Sequence, residues 1–326
     1  MATSKHDRLM ELFSVARREE RPLYVQAPMV RYSKLPFRLL VAGYGTDVVY
    51  TPMIVSDAFL KSSLSRDCEL MTSPAETAPL IVQFAAANTR QFVDASSMVS
   101  QYVSGVDLNC GCPQGWAMSD GLGSALIAKP ELVKDMIATT VAQAECPVTV
   151  KIRLRDTPEE TIELVRRLEA AGAAWITIHG RTPANKRGGD VDYDAIALAA
   201  SAVGIPVLAN GDINSVADAH SVAAATGVDG VMSARGLLAN PAMFAGLDYT
   251  PIEAVREYIR LSLAYSEKFV RVRYHVLTMT SAILPRWARS ALAEVHTVSD
   301  IFDLFLSRFN IDLSPAAADP TNSPAP

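Results

Sequence analysis

Eight short, β-rich apolar runs recur along this chain, at residues 23–27, 47–50, 80–84, 106–109, 147–152, 175–179, 206–209 and 230–233. Between most of them lie segments whose apolar residues repeat at helical spacing, for example 89–103, 131–144, 159–171 and 215–225. Two of these segments open on start signals. Thr157-Pro158-Glu159-Glu160 sets a cap, a proline and two acids in order, and Asn214 is placed to cap the helix expected from Ser215. Eight strands alternating with helices over roughly 230 residues match a (β/α)₈ TIM barrel, whose usual size is about 250 residues. A doubly wound parallel sheet is the alternative arrangement of the same units.

From about Pro251 the alternation stops, and helices are expected over 252–269, 274–287 and 300–309. The chain therefore divides into an N-terminal helical extension (1–22), a barrel (23–248), a small C-terminal helical domain (249–313) and a tail (314–326). The tail holds four prolines among thirteen residues with few bulky apolar groups, which suits disorder. With 49% apolar and 20% charged residues, the 326-residue chain can bury a large core. Its formal charge of -5 provides no global cationic field, so a polyanionic partner would need a local basic patch. No stretch is long and apolar enough for a signal peptide or a membrane span.

The four cysteines (Cys68, Cys110, Cys112, Cys146) are too few and scattered for a disulfide framework, and the expected compartment is reducing, cytoplasm or nucleus. The five histidines show no paired spacing, and only one close cysteine pair exists, so no metal site is expected.

Barrel enzymes carry their chemistry at the carboxyl ends of strands. Here those ends read Pro28-Met29-Val30, Gln83, Asn109 with Cys112, Lys151-Ile152-Arg153, His179-Gly180-Arg181, Asn210-Gly211-Asp212 and Ser233-Ala234-Arg235-Gly236. The last two fall where barrels commonly bind phosphate, and each has a glycine for close backbone approach. Lys151 ends an otherwise apolar strand, where its ammonium can face an anionic group or make an ion pair. His179 is open to a hydrogen-bonded core role or a role at the mouth. Of the cysteine pair, Cys110 sits nearer the strand end and suits packing. Cys112, beyond it and before Pro113, is the better candidate for a proton-donating thiol.

Ordered motifs over roughly residues 22–245 resemble the flavin-dependent tRNA-dihydrouridine synthases: APM at 27–29, VQF at 82–84, LNCGCPQ at 108–114, VKIR at 150–153, HGRT at 179–182, ANGDI at 209–213 and ARGLLANP at 234–241. WAM at 116–118 and the run 233–246 are most similar to the eukaryotic branch that acts at D-loop positions 20a and 20b. The resemblance implies FMN under which Pro28, Met29 and Val30 lie, touched by Gln83, Lys151 and His179. Its phosphate would be gripped by Asn210, Gly211, Asp212, Ala234 and Arg235. The resemblance also implies Cys112 as catalytic acid, Asn109 and Arg181 near the target uracil, tRNA as substrate, and NADPH or NADH as reductant. No separate dinucleotide-binding unit is visible, so the nicotinamide is expected at the same mouth.

A tRNA substrate needs a cationic grip on phosphates. Between Arg271 and His296 lie Arg271, Arg273, Arg286 and Arg289 against one acid, Glu294, so the helical domain is the expected docking platform, with a solvated helix face as the bland alternative. Two other functions compete: an FMN barrel that reduces a free pyrimidine or other small molecule, and an RNA-binding barrel without chemistry.

Overall fold

The computed structural model describes residues 3–185 and 189–314. The expected tail, Ser314 apart, lies outside the described residues. Nine strands form one wholly parallel sheet: β1 (Leu23–Gln26), β2 (Val49–Tyr50), β3 (Ile54–Val55), β4 (Leu80–Ala85), β5 (Gly105–Cys110), β6 (Val148–Arg153), β7 (Ile176–His179), β8 (Val207–Asn210) and β9 (Gly230–Ser233). Neighbours run β1-β9-β8-β7-β6-β5-β4-β2, and the bridge between Val25 and Val48 returns the last strand to the first. The Gln26 side chain adds to that closure by accepting from the Tyr50 N–H at 3.1 Å. Eight strands thus form the barrel. The short β3, which pairs with the far end of β4, is an addition the apolar pattern did not signal.

The expected helices are present with shifted ends: Thr89–Val99, Pro130–Gln143, Pro158–Ala170 and Val216–Thr226. Thr157 caps its helix by accepting from the Glu160 N–H. Asn214 does not cap the helix that follows it. Ser215 does, by accepting from the Asp218 N–H, while the Asn214 N–H donates to the Asp218 carboxylate at 2.9 Å. Ser215 Oγ accepts from the N–H three residues further on, so the cap falls one position later than expected.

Side chains alternate across each strand. Val106, Leu108 and Cys110, with Val148, Val150 and Ile152, face the surrounding helices in one large core. The opposite face fills the barrel. At its amino-terminal end, Leu23, Val25, Tyr50, Ile81, Trp175 and Leu208 pack against Leu9, Phe13 and Ala16 of the helix Lys5–Arg18. Phe13 meets the Trp175 ring edge-on at 5.8 Å. The helix Lys5–Arg18 is therefore the plug of the barrel floor.

After the barrel come four helices: Ile252–Ala264, Phe269–Met279, Arg286–Glu294 and Val298–Phe309. The single helix expected over 274–287 is two, because Pro285 lacks an N–H and the residue before a proline disfavours helix. The first expected helix also ends early, at Ala264. Ala254, Tyr258, Ile259 and Val276 belong to the same core as the barrel strands, so the helical domain is welded to the barrel. His275 is the central peg of that joint. It is buried among Tyr32, Phe37, Tyr258 and Tyr274, and its Nε2 lies 3.1 Å from the Tyr32 carbonyl oxygen.

Candidate active site

Strand register assembles the mouth. Gln83 pairs with Asp107 across β4 and β5, Asn109 with Lys151 across β5 and β6, Arg153 with His179 across β6 and β7, and His179 with Asn210 across β7 and β8. Polar residues two apart on one strand share a face, so Asp107 and Asn109 point the same way.

At the ends of β8 and β9, a recess of about 70 Å³ is lined by His179, Asn210, Gly211, Asp212, Ala234 and Arg235. All six were expected on a bound cofactor. A Cβ on Gly236 would collide with the Ile213 carbonyl, so only glycine lets the start of the helix Arg235–Ala239 approach the β8 loop this closely. Asp212 has φ 47°, a left-handed conformation that few side chains tolerate as well as aspartate and asparagine. Its carboxylate accepts from Arg181 and, at 2.6 Å, from Arg235. This pairing, with Arg181 first, holds the Asp212 carboxyl below the usual range. The anion there is committed to orienting two guanidinium groups, and Arg181, which also donates to the Gly189 carbonyl, braces the recess.

Lys151 donates to Asn210 Oδ1 at 2.7 Å. Burial, and then the neighbouring Arg153, pull its pKa down to about 7. Burial, and then the charges of Lys151, Arg153, Arg181 and Arg235, push His179 far below its ordinary value, so its ring is neutral. Its Nδ1 is buried without a hydrogen-bond partner. A recess lined by Arg235, whose partner Asp212 is shared with Arg181, and by His179, which feels the charges of Lys151, Arg153 and Arg181 and has an orphaned ring nitrogen, is suited to an anionic ligand that also offers a hydrogen-bonding atom.

Cys112 is part-buried against Met53, Ala85, Ala117 and Leu122. Its loop is clamped from both sides. The Cys112 N–H donates to Asn109 Oδ1 at 2.9 Å, and its carbonyl accepts from the Ser124 N–H at 3.0 Å. Gly123, at φ 60°, lies directly against it, where a Cβ would come within 2.6 Å of the Cys112 carbonyl. Arg153 supplies a third clamp by donating to the Gly111 carbonyl at 2.8 Å and to the Thr182 carbonyl at 3.2 Å. Cys110 instead faces the core, and burial drives its thiol well above the ordinary range.

Five further expected site residues, Gln83, Asn109, Pro28, Met29 and Val30, lie outside the recess. Gln83 has no exposed surface: its amide donates to Asp107 and accepts from Asn109, which places it beneath the mouth. Asn109 spends its oxygen on two N–H groups of the cysteine loop, with one amide hydrogen left over from its bond to Gln83. Pro28, Met29 and Val30 form the loop after β1. Of these, Val30 is half exposed and borders a larger groove of about 480 Å³, with Arg31, Met53, Trp116, Lys268 and Arg271, between the mouth and the helical domain.

The four arginines of the expected platform separate into two kinds. Arg271 pairs with Glu267 at 2.5 Å, and Arg273 donates to the Val295 carbonyl at 2.8 Å and lies over the Phe269 ring. Arg286 and Arg289 are exposed and take part in no ion pair among the described residues. Sequence reading missed Asp107, Arg31 and Trp116. An acid two residues before Asn109 in an otherwise apolar strand was the available sign for the first, whereas the groove that joins the other two depends on tertiary structure.

A parallel eight-stranded barrel with a cationic recess and a clamped thiol at one mouth is the class of protein that fold and site define. The family model for dihydrouridine synthases (Dus) matches residues 25–283. The chain belongs to the dihydrouridine synthase family. It is 45% identical over 290 residues to the human tRNA-dihydrouridine(20a/20b) synthase NAD(P)+-like protein, covering 88% of this chain and 91% of the relative. The tRNA-dihydrouridine(20a/20b) synthase of Schizosaccharomyces pombe is 41% identical over 276 residues, with 84% of each chain covered. The mouse tRNA-dihydrouridine(16/17) synthase-like protein is 35% identical over 283 residues, 85% of this chain and 60% of that one. Among solved structures, the old yellow enzyme from Trypanosoma cruzi matches with TM-score 0.50 at 12% identity, covering 75% of this chain and 94% of that one. Histamine dehydrogenase from Rhizobium sp. 4-9 matches with TM-score 0.54 at 13% identity, covering 73% and 49%. At such identities the likeness is one of fold.

Proposed function

We propose that this protein reduces the C5=C6 bond of D-loop uridines in tRNA to dihydrouridine, at positions 20a and 20b, with FMN as bound cofactor and NADPH or NADH as reductant. The family membership supports the reaction. The two 20a/20b relatives at 45% and 41% identity, against 35% for the 16/17 relative, support the positions. The observation that carries the chemistry is one mouth with two separate parts, a cationic recess and a clamped thiol.

The recess has the size of the phosphate end of FMN, with Arg235 and the Gly211 loop to hold it, while the unpartnered His179 Nδ1 and the Lys151 ammonium near it are polar groups available to the rest of the cofactor. When bound and reduced at the expense of NAD(P)H, the flavin supplies a hydride to C6 of the uracil. Cys112 Sγ–H donates the proton that C5 then requires, and the hydride and the proton together saturate the double bond. Asn109, Ser124 and Arg153 hold the thiol's loop while this occurs. Lys151 and Arg153 lie close enough to interact electrostatically with the Cys112 position, and positive charge on that side of the mouth favours negative charge developing on the uracil. A base must leave its stack to reach such a mouth, and the groove bordered by Arg31, Trp116, Lys268 and Arg271 is the approach suited to it.

The test combines the absorption spectrum of the purified protein with NADPH oxidation in the presence and absence of unmodified tRNA, followed by mapping of dihydrouridine. Bound flavin and new dihydrouridine at 20a and 20b are expected. Dihydrouridine at other positions overturns the positional assignment, and a yellow protein that oxidises NADPH but leaves tRNA unchanged overturns the substrate.

A further inference from the structure

Below the mouth, a buried chain of hydrogen bonds runs across three strands and ends at the cysteine loop. Thr149 Oγ1 donates to Asp107 Oδ1 at 2.6 Å. Gln83 Nε2 donates to Asp107 Oδ2 at 2.8 Å. Asn109 Nδ2 donates to Gln83 Oε1 at 2.7 Å. Asn109 Oδ1 then accepts from the N–H groups of Gly111 and Cys112, at 3.2 and 2.9 Å. Every side chain in the series is buried.

The chain has a direction. An ionised carboxylate can only accept, so Asp107 forces the Gln83 amide to present its nitrogen. That choice turns the Gln83 oxygen toward Asn109, which must answer with its own nitrogen. The Asn109 oxygen is then left facing the cysteine loop, the only orientation in which it can accept two backbone N–H groups. Reversing any one amide would set nitrogen against nitrogen or oxygen against oxygen in a buried site, where an unmade hydrogen bond is costly. We propose that Asp107 is a positioning residue for Cys112, acting through Gln83 and Asn109 to fix the orientation of the amide that holds the cysteine loop. A packing role alone would not require a carboxylate in the middle of this strand.

The inference rests on the reading of Cys112 as proton donor, and the experiment separates the two. Asp107→Leu, branched at Cγ like aspartate though bulkier, removes the acceptor. Asp107→Asn keeps it, since the asparagine oxygen can face Gln83 while its nitrogen turns to the Thr149 hydroxyl. Both are made in the holoenzyme on a Cys68→Ser background, so that Cys112 is the part-exposed thiol that iodoacetamide can reach. Readouts are the alkylation rate of Cys112 by peptide mass, the tRNA-dependent kcat and KM, and the rate of flavin reduction by NADPH.

In the leucine variant, Cys112 alkylation is expected to change at least fivefold and kcat to fall at least tenfold, with KM for tRNA and flavin reduction within about twofold of the parent. The asparagine variant should restore both. Should the leucine protein not fold, Asp107→Ser, too short to reach Gln83, replaces it with the same expectation. Alkylation and kcat within twofold of the parent in a folded Leu or Ser variant overturn the proposal, as does an asparagine variant no better than leucine. If Cys112→Ala keeps full activity, the acid reading fails, while the alkylation rates still decide whether Asp107 places the loop.

Discussion

Lys151 Nζ and Asn210 Oδ1 lie 2.7 Å apart, and this is the one hydrogen bond the Lys151 ammonium makes among the described residues. An ammonium has three donors, so two remain for a ligand. Burial and Arg153 bring its pKa down to about 7, so near neutrality the ligand-free protein holds this lysine only partly charged. An arriving anion favours the charged form and raises that pKa. Binding therefore takes up a proton wherever the pH lies between the free and bound values, and affinity falls as pH rises above about 7. Linkage limits the fall to about tenfold per pH unit. Measured from pH 7 to 9, above the range in which phosphate itself titrates (about 6), the FMN dissociation constant should rise in the parent and stay flat in Lys151→Met. A flat parent curve would remove Lys151 from the anion's partners.

His275 supplies a second pH dependence with a different location. Burial lowers its pKa to about 3, below the ordinary value near 6.5. Between those limits the unfolded chain binds the proton and the folded chain does not, so stability rises with pH through that window and is lost as the solution is acidified from about 6.5. His179 acts in the same direction, and Asp107, whose carboxyl burial pushes up to about 6, acts in the opposite one. The His275 part is isolated by difference. Thermal midpoints of the parent and His275→Phe should converge toward acid and separate as pH rises from 5 to 7. Parallel curves would mean that the ring between Tyr32 and Tyr258 is not what acid loosens.

Much of the barrel was legible because its signals are local. Apolar runs, a Thr-Pro-Glu-Glu start and glycines at strand ends each act over a few residues, and six of the expected cofactor residues do converge on one recess. What was illegible depends on partners distant in sequence. Nothing near Gln83 reveals that Asp107, 24 residues on, will take its amide below the mouth. Nothing near Arg181 announces Asp212, 31 residues away. Net charge over 271–296 likewise could not separate Arg273, spent on the Val295 carbonyl 22 residues away, from the exposed Arg286. Composition counts charges, whereas partners decide which of them are available.

Arg153 joins the β5 and β7 loops through the carbonyls of Gly111 and Thr182. Replacing it with methionine strands both acceptors, and since both carbonyls are only part-buried the cost is at the low end of the roughly 1–3 kcal/mol for a buried group left without its partner. Lysine keeps the charge but lacks the planar fork, whose Nε and Nη1 reach the two carbonyls from separate positions, so it serves the pair less well. Denaturant unfolding should therefore rank the proteins Arg153, then Arg153→Lys, then Arg153→Met. The methionine variant should also shift the pH at which FMN affinity declines upward, because the charge that lowers the Lys151 pKa is gone. A methionine protein as stable as the parent would mean that relief of repulsion with Arg181 offsets the two lost bonds.

Arg286 and Arg289 stand three residues apart on the helix Arg286–Glu294, so they share a face, with half-exposed Trp287 beside them. Neither is in an ion pair among the described residues, so each is available to a phosphate at no cost in internal contacts. Counterion release makes such contacts measurable as salt dependence: each phosphate lost should flatten the slope of log K against log salt by about 1. Arg286→Ala with Arg289→Ala is expected to weaken tRNA binding several-fold at low salt, flatten that slope by roughly 2, and leave flavin content and thermal midpoint unchanged. Arg273→Ala should do the reverse, lowering the midpoint by loss of the Val295 contact with little change in slope. If the Arg286 and Arg289 double variant kept the parent's salt slope, the face on which they lie would be a solvated one, and the docking surface would have to be sought along the groove bordered by Arg31 and Lys268.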